Sequence, residues 1–508
     1  MQRMDDEFCA AFVDAMREEL IQRVCSVMPV ADYLLQRKHI SRETYEEITA
    51  ASTRIKKMRE IYRSLNNKQS KAAFCEALKQ QEPYLLEELD GHFRSSESTG
   101  SSEVSSETHQ KLNEWWKKNS NKYRSKFEAL LKDPDLKTLG NGKLFTCEEN
   151  KYEIGSGADG TCVYIGMRDD GTEVAVKRMI KNNHKQLKDE MTVLRDRKLE
   201  HKNIVKYIDF TEDKNFVYLC LQLCEYNFEE YKKTKEMDQD ALKKVTKEVL
   251  LGLKVLHDAG IIHRDIKPTN ILIDVDGNVK LADFGLSRKI SQDASTVHTT
   301  RAGTRGWEAT EILNGNVDGP CGYKLSTDIQ VAGMLVYYIL SGGDHPFGKQ
   351  SEVEKNIHDG KYHLDEQTDV EAKDLIEKML APKPEERMLA KEAVEHPYFW
   401  DDKRRDSFFR FIGDNEAVQK WKDTDPKLRE ALRKYGKFNE WKSKITDLQD
   451  REKKLPDDLH GLLRFLRNRL IHEKEKFNKN NMYKDLFPEF YISANQLAKE
   501  MGWNWEDK

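Results

Sequence analysis

Four short motifs between residues 152 and 287 follow one another in a fixed order, and this order constrains the fold more than any other feature of the 508-residue chain. The first, YEIGSGADGTCVYIG, spaces Gly155, Gly157 and Gly160 ahead of Val163. The second, TEVAVKRM, places Lys177 in a strand-like run. HRDIKPTNILI and LADFGLS complete the series. Three glycines at this spacing also occur in ordinary turns, so the glycine motif alone is weak evidence for a phosphate-binding fold. The four motifs in this order are much more specific.

This region resembles a eukaryotic protein kinase over about 250 residues. The resemblance implies an α+β bilobal fold over residues 146–400 that binds ATP and Mg²⁺. Lys267, two positions after Asp265, follows the pattern of serine/threonine kinases rather than tyrosine kinases. The residues that the resemblance assigns to nucleotide binding are Gly155, Gly157, Gly160, Val163, Lys177, Glu190, Gln222, Cys224, Asn270 and Asp283.

The chemistry of phosphoryl transfer explains these residue types. Glycine amides approach phosphates closely because no side chain intervenes. Lys177 is expected to hold the α- and β-phosphates and to pair with an acid on the following helix, for which Glu190 is the best candidate. Asp283 and Asn270 offer oxygen ligands to Mg²⁺. Asp265 would orient the substrate hydroxyl and accept its proton.

The resemblance also places the hinge between the lobes at Gln222 to Cys224, with Leu221 at the back of the adenine pocket. A pseudokinase that binds nucleotide without transferring phosphate is the alternative. Every motif residue is present, which favours a catalytic kinase over a pseudokinase.

The segment from Asp283 to Glu311 is rich in hydroxyl groups, and Arg264 beside Asp265 suggests an activation loop that phosphorylation orders. The segment ends in Ala-Thr-Glu where kinases usually have Ala-Pro-Glu. Glu311 is retained, and we expect it to pair with Arg387. The possible phospho-acceptors are Ser291, Ser295, Thr296, Thr299, Thr300 and Thr304.

The stretches GTRGWEATEIL, STDIQVAGMLVYYILSGGDHPFG and EHPYFWDDKRRDSFFRFIGD narrow the resemblance. They are similar to the unfolded-protein-response kinase/endoribonuclease and to ribonuclease L, in which the kinase continues into an α-helical kinase-extension nuclease (KEN) domain. We expect such a domain over residues 401–508. The family keeps its nuclease residues in the pattern Arg-Asn-x-x-x-His, which Arg467, Asn468 and His472 match.

Helical periodicity places these nuclease candidates on one helix, in LLRFLRNRLIHEKEK. Leucines 459, 463, 466 and 470 form an apolar stripe, while Arg464, Asn468 and His472 share the opposite face and Arg467 lies at its edge. A solvated polar face is the ordinary explanation of such residues. The resemblance instead implies RNA cleavage without a metal, in which His472 moves a proton, Arg467 stabilises the phosphorane and Asn468 binds phosphate or base. The expected product carries a 2′,3′-cyclic phosphate.

Two positions depart from the nuclease pattern. Gly461 stands where the family usually has an aspartate, and Lys454 stands where it has a tyrosine. His460, Asp457 and Asp458 lie nearby in the sequence, but this proximity alone does not make them substitutes. A nuclease fold that only dimerises is therefore the alternative to RNA cleavage.

The apolar spacing of residues 1–91 predicts a bundle of short amphipathic helices. FVDAMREELIQRV and the stretches after it resemble a caspase-recruitment domain (CARD), a six-helix death-fold bundle that binds other CARD-containing proteins through opposite charge patches. Residues 92–145 are expected to form a linker, flexible from Arg94 to Gln110, followed by one amphipathic helix over LNEWWKKNSNKYRSKFEALLK.

Composition limits the cellular compartment of the chain and the kinds of ligand that it can bind. A net charge of −4 excludes a polybasic nucleic-acid binder, so any RNA contact is local. Eight scattered cysteines without a CxxC pair and an acidic N-terminus favour a cytoplasmic protein with reduced thiols and no membrane segment.

The overall prediction is a multidomain CARD–kinase–KEN protein of stress, innate-immune or apoptotic signalling. It would form a homodimer or higher oligomer through its kinase and KEN domains and act on RNA. A CARD-kinase scaffold whose KEN tail does not cleave RNA is the alternative. A third possibility keeps the nuclease and reduces the kinase to a nucleotide-sensing switch.

Overall fold

The computed structural model describes most of the chain from Cys9 to Trp505. Only the backbone is described for Glu18, Ser106 and residues 470–472. The described residues are 9, 12–14, 16–24, 26–65, 67–83, 85–86, 89, 106–140, 143–157, 160–181, 190–213, 215–291, 295–315, 319–349, 351–472, 485–503 and 505. Within these ranges, no helix has the length and apolar character that a bilayer crossing requires.

The N-terminal part is a helical bundle, as the periodicity predicts. Side-chain caps begin three of its helices, because Ser41, Thr53 and Asn67 each accept a hydrogen bond from a backbone N–H of the first turn. The apolar faces enclose a core that includes Phe12 and Phe74, both fully buried. The helices are α1 (Arg17–Arg23), α2 (Val27–Gln36), α3 (Arg42–Ala50), α4 (Arg54–Ser64) and α5 (Lys68–Gln81).

The segment after the linker differs from the prediction. Helix α6 (Ser106–Trp115) already includes residues 106–110, which the sequence assigned to the flexible linker. The single predicted helix is wrong, because the chain leaves the helix after Trp115 and resumes it only in α7 (Arg124–Leu130). Residues 116–123, called the strap below, instead bind the sheet: the Trp116 indole donates to Glu173 Oε1 at 2.6 Å. Tertiary hydrogen bonds therefore override the helical periodicity.

The smaller lobe is an antiparallel sheet with strand order β1-β2-β4-β5-β7-β6, in which β3 also pairs with β4. Its first two strands precede the glycine motif in the sequence. Trp116 and Phe127 pack under this sheet with Phe145 and Ile165, so the strap and α7 belong to the lobe's core. The strands are β1 (Lys137–Leu139), β2 (Leu144–Thr146), β3 (Glu153–Ser156), β4 (Cys162–Arg168), β5 (Glu173–Ile180), β6 (Tyr207–Glu212) and β7 (Phe216–Gln222).

The larger lobe is mainly helical and is built around the apolar helix α11 (Leu325–Leu340), most of whose residues are buried. Its short strands form three small antiparallel sheets, ordered β8-β10-β11, β9-β12 and β13-β14. This two-lobed arrangement is the predicted α+β bilobal fold. The helices are α8 (Phe228–Thr234), α9 (Gln239–Asp258), α10 (Thr310–Leu313), α11 (Leu325–Leu340), α12 (Val353–Asp359), α13 (Val370–Leu380) and α14 (Ala390–Val394). The strands are β8 (Tyr226–Asn227), β9 (Ile261–Ile262), β10 (Ile271–Ile273), β11 (Val279–Leu281), β12 (Arg288–Lys289), β13 (Val297–Thr299) and β14 (Cys321–Tyr323).

The C-terminal unit is helical and packs directly on the larger lobe. Arg405 forms a buried bidentate ion pair with Glu371 of α13, at 2.9 and 2.5 Å. Trp400 lies in the C-terminal core, and its ring centroid is 4.8 Å from that of Phe408. The helices are α15 (Asp402–Asp414), α16 (Glu416–Gln419), α17 (Pro426–Leu432), α18 (Leu459–His472) and α19 (Phe490–Glu500).

Candidate functional site

The glycine motif forms the turn between β3 and β4. The backbone N–H of Gly157 donates to Thr161 O at 2.8 Å, and Gly160 has a φ of +73°, a conformation that favours glycine. Register across the sheet aligns Gly155 of β3 with Val163 of β4, and Val163 with Lys177 of β5. Three of the predicted nucleotide-binding residues therefore lie side by side on adjacent strands.

Lys177 lies at the centre of a cluster of charged groups. Its Nζ is 2.7 Å from Glu190 Oε1 and 2.9 Å from Asp283 Oδ1, which joins residues 106 positions apart. Although burial alone would lower the pKa of Lys177, the two carboxylates raise it above its ordinary value. The same ammonium group lowers the pKa of the Asp283 carboxyl. Both Lys177 and Asp283 are therefore charged at neutral pH, as phosphate and metal binding require.

The catalytic-loop candidates form a second cluster around Asp265. Lys267 Nζ lies 2.7 Å from Asp265 Oδ2, and Asn270 Nδ2 donates to the same oxygen at 2.9 Å. The hydroxyl of Thr304 donates to Asp265 Oδ1 at 2.6 Å and accepts from Lys267 Nζ at 2.7 Å. Sequence analysis treated Thr304 only as a possible phospho-acceptor, whereas the structure ties it to the Asp265–Lys267 pair.

Asp328 of α11 holds this loop in place and was missed from the sequence. Its carboxylate accepts the backbone N–H of His263 at 2.8 Å and that of Arg264 at 3.0 Å. Arg264 has a φ of +71°, an uncommon conformation for a residue with a side chain. The buried carboxylate thus fixes the backbone immediately before Asp265. Asp328 lies some sixty positions away, and one aspartate at the start of an apolar helix gives no local signal of this role.

The predicted hinge follows β7. The backbone N–H of Gln222 donates to Lys206 O at 2.9 Å, and burial raises the pKa of the Cys224 thiol to about 12. The next residue, Glu225, is buried and accepts two backbone N–H groups of the strap, from Asn121 at 3.1 Å and Lys122 at 2.7 Å. With Trp116 and Glu173, these contacts let the strap connect the smaller lobe to the hinge.

The activation segment contacts Arg264 and ends at the predicted ion pair. Arg264 Nη2 donates to Thr300 O at 2.9 Å, and its guanidinium carbon lies 4.2 Å from the ring centroid of Tyr323. Glu311 and Arg387 form a bidentate pair at 2.9 and 2.7 Å. Replacement of the usual proline by Thr310 therefore leaves this anchor of the segment intact.

The second candidate site lies on α18. Arg467 Nε and Nη2 donate to Asp414 Oδ1 at 2.9 and 2.5 Å, and Nη1 donates to Asn468 Oδ1 at 3.4 Å. The stem of Arg467 packs against Gly413 of α15, where an added Cβ atom would be only 2.3 Å from Arg467 Cγ. The side chain of His472 lies outside the described residues. The helical backbone nevertheless continues to His472, which puts it on the same face as Asn468.

The two departures from the nuclease pattern have distinct surroundings. Gly461 is buried, and a Cβ atom there would lie 1.8 Å from Pro456 O, so the backbone excludes any side chain. Asp458 Oδ1 accepts the N–H of Gly461 at 3.0 Å and thereby caps the helix. His460 is buried with Nε2 2.8 Å from Val418 O, whereas Lys454 is exposed. His460 and Asp458 therefore have structural partners of their own.

Two further arginines on α18 have opposite environments. Arg469 is buried and donates to both carboxylate oxygens of Glu452 at 2.7 Å. Arg464 is half-buried, and its Nε and Nη1 atoms are shielded from solvent without a hydrogen-bond acceptor among the described residues. The sequence pattern did not distinguish these two side chains.

Comparison with known sequences identifies two domains. The sequence model of the protein kinase domain matches residues 149–399, and that of the caspase recruitment domain matches residues 10–92. The Caenorhabditis elegans serine/threonine-protein kinase/endoribonuclease ire-1 is 33% identical over 345 residues, which are 63% of this chain and 35% of the relative. The human serine/threonine-protein kinase/endoribonuclease IRE2 is 33% identical over 374 residues, 69% of this chain and 39% of the relative.

A plant relative gives the same picture. The Arabidopsis thaliana serine/threonine-protein kinase/endoribonuclease IRE1a is 30% identical over 389 residues, 66% of this chain and 45% of the relative. The chain thus spans less than half the length of these curated relatives. The aligned lengths exceed the 251 residues of the kinase match. The chain therefore carries a caspase recruitment domain and a protein kinase domain, and it is a homologue of the IRE1-type kinase/endoribonucleases.

Proposed function

We propose that this chain is an ATP-dependent serine/threonine protein kinase with a C-terminal, metal-independent endoribonuclease, assembled through its CARD in stress or innate-immune signalling. The observation that carries the kinase part is the convergence of Lys177, Glu190 and Asp283 beside the Asp265–Lys267–Thr304 cluster. Charged groups from the sheet, the catalytic loop and the activation segment meet here, where phosphate chemistry needs them.

Each group in this cluster has a separate part in phosphoryl transfer. Asp265 takes the proton of the substrate serine or threonine hydroxyl as that oxygen attacks the γ-phosphorus of ATP and the bond to the β,γ-bridging oxygen breaks. Lys267, 2.7 Å from Asp265 Oδ2, places a positive charge near the transferred group. Lys177 holds the α- and β-phosphates, and Glu190 orients it.

The residues present also fit Mg²⁺. The amide nitrogen of Asn270 donates to the backbone oxygen and to Oδ2 of Asp265, which leaves Asn270 Oδ1 as the atom that binds a cation. Asp283 is ionised because Lys177 lowers its pKa. Two hard oxygen donors of this kind suit Mg²⁺, which when bound neutralises phosphate charge.

An Asp265→Asn substitution tests the kinase proposal because it removes the proton acceptor and keeps the shape of the side chain. We expect autophosphorylation to fall at least about a hundredfold while the Kd for ATP stays unchanged. Asp276→Asn, at an exposed aspartate of the β10–β11 turn, is the matched control. Equal phosphorylation by the wild type and the Asp265→Asn variant would contradict the assignment.

The nuclease part of the proposal rests on Arg467, Asn468 and His472. The ribose 2′-oxygen attacks the adjacent phosphorus, the bond to the 5′-oxygen breaks, and a 2′,3′-cyclic phosphate and a 5′-hydroxyl result. His472 moves the proton, because imidazole can both accept and donate a proton near neutral pH. Arg467 stabilises the charge of the phosphorane, and Asp414 orients its guanidinium at 2.5–2.9 Å. Asn468 binds phosphate or base.

Cleavage of a labelled stem-loop RNA by the full chain with ATP-Mg²⁺ tests the nuclease. We expect product ending in a 2′,3′-cyclic phosphate with the wild type and none with His472→Ala. His358→Ala, at a histidine whose side chain is 64% exposed, is the matched control. Both variants should autophosphorylate normally, which separates loss of the site from loss of folding. Absence of cleavage by a phosphorylated, dimeric wild type would contradict the nuclease proposal.

One observation favours the scaffold alternative. The backbone at Gly461 leaves no room for the side chain that the nuclease pattern has there. On this alternative the tail dimerises and the kinase alone signals. An Asp283→Asn variant distinguishes the two, because an ATP-gated nuclease loses RNA cleavage whereas a scaffold retains partner binding.

Assembly is proposed to begin at the CARD, which would bind other CARD-containing proteins and raise the local concentration of kinase. A kinase–KEN homodimer would then align two nuclease sites. A cytoplasmic location is supported by the seven described cysteines, none of which forms a disulfide with another described residue.

A further inference from the structure

Arg464 is a half-buried cation, and two of its guanidinium nitrogens lack a hydrogen-bond acceptor among the described residues. It lies on α18, one helical turn before Arg467 and Asn468. Its Nε and Nη1 atoms have no acceptor within the described part of the chain, although both are shielded from solvent. Burying a charged donor without a hydrogen bond is unfavourable, so a side chain kept in this state calls for an explanation beyond packing.

The charges of the described residues around Arg464 do not neutralise it. Burial lowers the pKa of its guanidinium, nearby Arg467 lowers it further, and Asp414 only partly opposes this change. Asp414 Oδ1 already accepts two hydrogen bonds from Arg467. Two guanidinium groups therefore share one carboxylate, and the neighbourhood attracts an anion.

We infer that Arg464 binds a phosphodiester of the RNA backbone next to the phosphate at Arg467, a role that rests on the proposed nuclease function. Side chains three apart on a helix have Cβ atoms about 5–6 Å apart, which suits two neighbouring phosphates of one strand. Nη2 is not among the shielded atoms, and with Nε it forms the edge of the planar guanidinium that binds phosphate oxygens in pairs. Arg464 is thus a substrate-binding residue that the Arg-Asn-x-x-x-His pattern does not include.

Salt-dependent binding tests this inference independently of cleavage. The probe is a fluorescein-labelled stem-loop RNA with 2′-O-methyl riboses, which cannot form a cyclic phosphate. Fluorescence anisotropy gives its Kd for the full chain between 50 and 300 mM KCl. This range is used because contacts with phosphates depend strongly on salt concentration. Arg464→Met should weaken binding about tenfold at the lowest salt. It should also reduce the slope of log K against log salt by about 0.7, the value for one lost contact with a single strand.

Two further variants control for charge and shape. Arg464→Lys keeps the charge and should keep the slope while losing part of the affinity, because an ammonium group lacks the planar fork. Arg433→Met removes an exposed arginine of the same unit and should change neither Kd nor slope.

Thermal melting separates phosphate binding from a structural role. Because the shielded guanidinium atoms have no acceptor among the described residues, Arg464→Met should melt at the same temperature as the wild type or higher. Unchanged RNA binding together with a lower melting temperature would overturn the inference and make Arg464 a structural cation.

The outcomes for Arg464 and for the nuclease are distinct. If the wild type cleaves unmodified RNA and Arg464→Met binds the probe equally well, only the Arg464 inference fails. If probe binding depends on Arg464 but unmodified RNA is not cleaved, Arg464 is upheld and the nuclease proposal fails. A wild type that does not bind the probe overturns the Arg464 inference, while the nuclease proposal is decided by the cleavage of unmodified RNA.

Discussion

The contact between Gly413 and Arg467 leads to a prediction about a residue outside the nuclease motif. Gly413 is the penultimate residue of α15 and is buried against the stem of Arg467. A Cβ at this position would lie 2.3 Å from Arg467 Cγ and 2.6 Å from Arg467 Cβ. Non-bonded carbons prefer about 3.5–4.0 Å, so in Gly413→Ala the stem of Arg467 must move by more than ~1 Å.

The displacement has different consequences for cleavage and for stability. Misplacing a catalytic group by ~1 Å can reduce the rate about a hundredfold, and we expect kcat/KM for stem-loop RNA to fall by that order. Overpacking costs about 1–3 kcal/mol, which the better helix propensity of alanine offsets by about 1 kcal/mol. The free energy of unfolding should therefore fall by no more than about 2 kcal/mol.

The assay compares RNA cleavage with autophosphorylation in the same preparation. Gly436→Ala is the matched control, because a Cβ there would meet only Asn439 Nδ2 at 3.8 Å, an ordinary contact. We expect wild-type cleavage from Gly436→Ala and normal autophosphorylation from both variants. Wild-type cleavage by Gly413→Ala would refute the reasoning, because it would mean that the position of the Arg467 stem does not matter.

Three further predictions concern the kinase unit. Thr304→Val removes the hydroxyl that donates to Asp265 Oδ1, and we expect kcat for autophosphorylation to fall at least about tenfold without a change in KM for ATP, measured with radiolabelled ATP. Glu225→Gln weakens two strap hydrogen bonds to a carboxylate and should destabilise the chain by about 2 kcal/mol in urea titrations, whereas Glu236→Gln at an exposed site should not. Burial lowers the pKa of His345 to about 4, so its imidazole stays neutral in the folded chain between pH 6.5 and about pH 4. In the unfolded chain the same imidazole binds a proton as the pH falls below 6.5. Stability should therefore decrease from pH 6.5 towards 4, and His345→Gln should flatten this decrease in melting curves.

Local motifs could be predicted from the sequence because their chemistry is local. The position of Lys177 on a strand follows from its own segment, and the structure has it there. The pairing of Glu311 with Arg387, 76 positions apart, is expected from the resemblance to protein kinases, and the structure has it too. The roles of Asp328 and Thr304 could not be predicted in the same way. They depend on contacts with residues about 40 to 65 positions distant, and neither residue type is unusual in its own segment.

Helical periodicity also has a limit that the strap illustrates. The apolar spacing of residues 112–132 suits one continuous helix, but Trp116 and the Ser120 N–H both bind the buried carboxylate of Glu173. These contacts stabilise the broken form, and their partner is absent from the local sequence. On α18 the pattern correctly predicts that Leu459, Leu463 and Leu466 are buried, whereas the side chain of Leu470 lies outside the described residues. The pattern does not separate Arg469, paired with Glu452, from Arg464.

The packing of Trp400 indicates that the kinase and the C-terminal unit cannot be separated at this residue without loss of structure. By number it lies at the end of the larger lobe, but its ring packs with Phe408, Tyr491 and Trp505. Cutting the chain after this residue would expose an aromatic-lined cavity on the C-terminal fragment and a tryptophan side chain on the kinase fragment. The two units should therefore melt in a single cooperative transition, and neither fragment should behave in solution as it does within the whole chain.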